Sequence, residues 1–161
     1  MVVILMGVSG SGKTTLGLRL ADDLGWAFID ADDFHSPEAV RRLAAGGPPS
    51  DADMKDWVAK LREQVTDVLA RGRDAVVAYS ALQSDARENL TVDSSSVRFV
   101  YLKGSASLVM QRLRNRSGHF LKANLVASQF ATLEEPHDVV TVDIDERPGR
   151  IVKQIREALR I

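Results

Sequence analysis

The run Gly7-Val8-Ser9-Gly10-Ser11-Gly12-Lys13-Thr14 places two glycines, a lysine and a hydroxyl at the spacing of a phosphate-binding loop. Glycines let such a loop turn tightly and aim backbone N–H groups inward, and the N-terminus of a following helix adds its positive end. The expected contacts with ATP come from Gly7, Ser9, Gly10, Ser11, Gly12, Lys13, Thr14 and Thr15. Lys13 should reach the β- and γ-phosphates, and the Thr14 hydroxyl should coordinate Mg²⁺.

A second group, Asp30-Ala31-Asp32-Asp33-Phe34-His35, follows the next apolar run. In an extended chain Asp30 and Asp32 share a face. Asp30 is then a metal-side carboxylate, and Asp32 a base that orients and deprotonates a hydroxyl. The bland alternative, an acidic helix N-terminus, is preferred for Asp33. His35 either donates to a substrate hydroxyl or packs locally. Arg112 and Arg116, at spacing four, share a helix face. One can stack on adenine and the other can neutralise a transferring phosphoryl group. Cations at a helix C-terminus are also favoured by the helix dipole, which explains them without any ligand.

Short apolar runs alternate with longer amphipathic segments, and these must position the groups above. Strands are predicted at Val2–Met6, Ala27–Asp30, Ala75–Tyr79, Val97–Leu102 and Val139–Val142. Helices are predicted at Lys13–Leu24, Pro37–Ala45, about 51–71, Ser84–Leu90, 105–115, about 124–133 and Pro148–Leu159. This alternation implies a parallel α/β sheet flanked by helices on both faces. No repeat or linker divides residues 1–161, so a single domain is expected.

Of the 161 residues 45% are hydrophobic and 27% charged, with a net charge of −1. That balance gives no global electrostatic case for nucleic acid or membrane. No apolar run approaches the roughly 20 residues of a membrane span. The absence of cysteine excludes disulfides, thiolate metal sites and cysteine nucleophiles. The expected location is the cytoplasm.

The chain resembles the bacterial-type gluconate kinases of the P-loop, nucleoside-monophosphate-kinase-like group, over nearly its whole length. The resemblance rests on Leu5–Thr14, Asp30–His35, Ser80-Ala81-Leu82, Tyr101–Gly104 and Arg116-Ser117-Gly118-His119-Phe120. It also rests on Ser128-Gln129-Phe130-Ala131-Thr132-Leu133-Glu134-Glu135-Pro136 and on Val142–Asp145. It implies a five-stranded parallel sheet, a lid at about 116–136, and transfer of the ATP γ-phosphoryl group to the 6-hydroxyl of gluconate. It supports catalytic roles for Lys13, Asp32 and Arg116, nucleotide contacts from Arg112 and Arg116, and substrate contacts from His35 and His119. A homodimer is compatible with it, although no segment shows a self-complementary stripe.

Departures fall where an acidic acceptor should bind. The family usually reads Asp-x-Asp-Arg before a tryptophan helix; here Met54 stands at the arginine position, and Lys55 is the candidate replacement. A basic residue usually stands at Gln83. Arg87 is matched, but the tyrosine usually before it is Ala86. The expected acceptor is a sugar acid bound by Lys55 and Arg87, or a less acidic polyol if specificity has shifted.

Overall fold

The central strand β1 (Val2–Met6) carries five apolar residues with no exposed surface. A strand buried on both faces has to be apolar throughout. Its alternate side chains enter different cores: Val3 and Leu5 join one cluster, and Val2, Ile4 and Met6 the other. The computed structural model describes residues 1–45, 47, 50–114 and 119–161, the side chains of 119–125 excepted.

The other strands are β2 (Ala27–Asp30), β3 (Ala75–Ala78), β4 (Val97–Lys103) and β5 (Val140–Asp143). All described pairings are parallel, in the order β2-β3-β1-β4-β5. The chain leaves β1 toward one edge and later returns to its other side. That leaves a crevice beyond the carboxyl end of β1, where ligands of such sheets bind.

The first core lies beneath α1 (Lys13–Leu24), α5 (Ala106–Arg114) and α7 (Pro148–Leu159), through Leu16, Leu20, Val109, Leu113, Ile151 and Ile155. The second lies beneath α3 (Asp51–Ala70) and α4 (Ser84–Leu90), through Trp57, Leu61, Val65 and Leu90. A short helix α2 (Pro37–Ala44) starts at the Ser36 cap, whose hydroxyl accepts from the Ala39 N–H at 3.1 Å. A capping box starts α3: Ser50 Oγ accepts from the Asp53 N–H at 3.1 Å, and the Asp53 carboxylate accepts from the Ser50 N–H at 2.9 Å.

Two predicted elements differ in the structure. The helix expected near 124–133 is α6 (His119–Thr132) and starts earlier. Its added residues contain neither glycine nor proline, so nothing local stops the helix there. The chain expected to stay extended after Asp30 turns at once into a 3₁₀ turn, Ala31–Phe34. The Asp30 carboxylate accepts from the Asp32 N–H at 3.1 Å and so caps that turn. An aspartate side chain at a strand end competes in this way with continued extension.

Candidate active site

Strand β1 delivers the loop 7–12 to the crevice, and α1 receives it. At Gly10, where φ is +85°, an added Cβ would lie 2.9 Å from Leu113 Cγ. At Gly7, where φ is +145°, it would lie 2.9 Å from the Leu102 carbonyl oxygen. Both the left-handed backbone and the close packing therefore require glycine. Lys13 Nζ folds back to donate to the Gly7 and Val8 carbonyls at 2.8 and 3.1 Å. Burial pushes its pKa down to about 8, against the opposing pull of Asp32 and Asp30.

Thr14 Oγ1 donates to Asp30 Oδ2 at 3.0 Å. A hydroxyl and a carboxylate are hard oxygen donors and fit Mg²⁺, which uses few protein ligands and keeps water and phosphate oxygens. Asp32 reaches the same cleft from the 3₁₀ turn rather than by alternation along a strand. That corrects the route by which the two carboxylates meet. Desolvation raises the Asp32 pKa first and the neighbouring Asp30 charge second, while its side chain remains 83% exposed.

His35 stacks on Trp57 with ring centroids 4.2 Å apart, and its Nε2 lies 3.9 Å from Asp32 Oδ1. The Trp57 indole N–H donates to the Ala31 carbonyl, and Trp57 meets Tyr79 edge-on at 5.2 Å. This stack fixes the turn that carries Asp32. The cleft encloses about 860 Å³. Its lining holds Lys13, Thr14, Asp30 and Asp32 together with the apolar Val40, Leu43, Ala44, Met54 and Ala86.

The remaining predicted site residues are spread more widely. Thr15 lines the cleft and also an adjoining recess of about 260 Å³, where Arg112, Glu146 and Pro148 stand. The Arg112 guanidinium donates to the Ile144 carbonyl. Arg87 Nη1 donates to the Ala81 and Leu82 carbonyls at 3.0 and 3.2 Å, so it braces the loop after β3, where Ala81 has a φ of +44°. Lys55 is exposed and does not line the cleft, whereas Met54 does. Arg116 and the His119 side chain lie outside the described residues.

Gln129 was given no chemical role in the sequence. Its Oε1 accepts from the Ser9 N–H at 2.6 Å, across 120 residues. The Ser-Gln-Phe run was the available signal, but spacing along a chain does not reveal a partner that far away.

A family profile described as an AAA domain matches residues 2–139. A gluconokinase from Gluconobacter oxydans is 37% identical over 156 residues, covering 95% of this chain and 88% of that protein. The chain belongs to the gluconokinase family. A crystal structure of a gluconokinase from Sinorhizobium meliloti is 35% identical and superposes with a TM-score of 0.87, covering 98% of this chain and 90% of that one. A sugar kinase from Janibacter is 36% identical with a TM-score of 0.89, covering 99% and 94%. The P-loop kinase fold expected from the strand–helix alternation and the resemblance is thus the fold of this gluconokinase-family chain.

Proposed function

We propose that this protein transfers the γ-phosphoryl group of MgATP to the 6-hydroxyl of D-gluconate, in the cytoplasm. The observation that carries the reading is the convergence of Lys13, Thr14, Asp30 and Asp32 in one cleft of a gluconokinase-family chain. Lys13 exchanges the Gly7 and Val8 carbonyls for the β- and γ-phosphates. Thr14 and Asp30 would hold Mg²⁺, which would supply charge neutralisation for the phosphates. Asp32 accepts the proton of the acceptor hydroxyl as its oxygen bonds to the γ-phosphorus and the bond to the β,γ-bridging oxygen breaks. ADP is the leaving group. The segment 116–136 of the single domain 1–161 acts as the lid. Arg116 meets the transferring phosphoryl group, Arg112 the nucleotide, and His35 and His119 the acceptor.

A second reading, a less acidic acceptor, is favoured by one observation. Val40, Leu43, Ala44, Met54 and Ala86 contribute apolar surface to the cleft, while the exposed Lys55 does not line it and Arg87 is held by two carbonyls. ADP release measured against D-gluconate, other sugar acids and neutral polyols separates the two readings. A clear preference for gluconate supports the first; turnover of a polyol with silence on gluconate replaces it with the second.

A further inference from the structure

The run Ser128–Pro136 lies within the proposed lid segment but supplies no residue to the chemistry above. Its structure divides into an anchor and a probe. The Glu134 N–H donates to the Leu82 carbonyl at 2.9 Å, and Glu134 Oε2 accepts from the Ser84 N–H and Oγ at 2.8 and 2.6 Å. Glu135 pairs with Lys103 Nζ at 3.0 Å. Val126 is buried in the first core, and Phe130 packs against it. The C-terminal end of α6 is thereby tied to the loop after β3 and to the end of β4. Gln129 projects from this tied end onto the phosphate loop.

Its contact occupies a phosphate-binding donor. Ser9 N–H and Gln129 line the cleft together with Lys13, Thr14, Asp30 and Asp32. Neither lines the adjoining recess beside Arg112 and Pro148. The pair therefore belongs to the cleft that holds Lys13, Thr14, Asp30 and Asp32 rather than to that recess. Because the Ser9 N–H can only donate, the amide oxygen faces it and the amide NH₂ is the other end of the same group. Lys13 is likewise satisfied within the loop, by the Gly7 and Val8 carbonyls. A phosphate oxygen is charged and out-competes a neutral amide oxygen for the Ser9 N–H.

Resting on the phosphoryl-transfer reading, we propose that Gln129 is a γ-phosphate-contacting residue. Its amide caps Ser9 N–H in the nucleotide-free protein. When ATP binds, the amide yields that donor and turns its NH₂ onto the γ-phosphoryl oxygens. ADP lacks that group and leaves the amide without its new partner, so the side chain distinguishes the two nucleotides.

The test is calorimetric binding of Mg-ADP and of a non-hydrolysable Mg-ATP analogue to the full chain, wild type against Gln129→Glu and Gln129→Ala. Glutamate keeps the shape and places negative charge against the γ-phosphate. It should weaken the ATP analogue by about tenfold or more, the scale of one hydrogen bond to a charged group, and ADP by less than about twofold. Alanine removes the whole amide, both the cap on the Ser9 N–H and the γ-phosphate donor. It should weaken the ATP analogue by about tenfold and raise the ATP KM, with ADP changed by less than about twofold, a split that a merely structural role does not produce. Equal losses for both nucleotides, or wild-type behaviour in both variants, overturn the proposal even if the wild type turns over. A wild type that binds no nucleotide overturns the kinase reading with it. Should the glutamate variant fail to fold, the alanine variant's nucleotide affinities and ATP KM decide.

Discussion

Lys13 is buried in its own loop, and under the proposed function it must also serve a polyanion. Burial sets its pKa at about 8 in the nucleotide-free protein, below the ordinary lysine value of 10.5. The charged form binds phosphate, so the sign is fixed: ATP affinity is full below pH 8 and falls as the pH rises through it. Bound phosphate favours the ammonium, so ATP binding near and above pH 8 takes up a proton. Titration calorimetry from pH 6.5 to 9.5 in buffers of different ionisation enthalpy checks both the decline and the uptake. A flat affinity across that range places the lysine elsewhere. Residue types and spacing were enough to single out Lys13, Thr14, Asp30 and Asp32, which the structure brings into one cleft. The route of Asp32 was not legible, because the Asp30 cap that bends the chain is a competition between two local hydrogen-bonding patterns.

At the scale of elements, the ends of helices do the positioning. The 3₁₀ turn with Asp32 is pinned by Trp57 of α3, and α6 is pinned by Glu134. Hydrogen bonds from Ser84 hold the Glu134 carboxyl below its usual range, with Arg87 nearby contributing. A depressed folded pKa stabilises the protein above the ordinary glutamate pKa, and this contribution is lost as the pH falls through the folded value. Glu134→Gln removes that dependence. The variant should lose amide protection first at the α6–α4 junction, and its stability gap from wild type should narrow between pH 6 and pH 3. Hydrogen exchange and denaturant midpoints read the two effects, and a gap unchanged with pH contradicts the assignment. The boundaries of α1, α4 and α7 matched the predicted ranges, since Gly25 and the flanking prolines and serines signal ends locally. Ser117 and Gly118 stand directly before the start of α6, but the helix was expected later, within a polar segment whose residues fit either state.

Across the whole molecule, the sheet order decides which distant segments meet. Parallel strands follow from alternating strands and helices, but the order β2-β3-β1-β4-β5 is set by packing of whole layers. The contacts it creates, Ser9 with Gln129 and Ser84 with Glu134, join segments that no local pattern connects. The motif around Gln129 was therefore legible as distinctive but not as a phosphate-loop contact. The candidate acceptor residues show the same division. Met54 was legible as a departure from the family pattern, and the fold shows that it lines the cleft while Lys55 does not. The central claim concerns this one cleft: a γ-phosphoryl group enters at Lys13 and leaves on a hydroxyl presented to Asp32. The most direct measurement is ³¹P NMR of D-gluconate incubated with MgATP and either wild type or Asp32→Asn. The expected result is ADP together with a new phosphomonoester coupled to the C6 protons, formed about 10²- to 10⁴-fold more slowly by the variant, as loss of a general base requires. ADP accompanied only by inorganic phosphate, or an undiminished rate in Asp32→Asn, contradicts it.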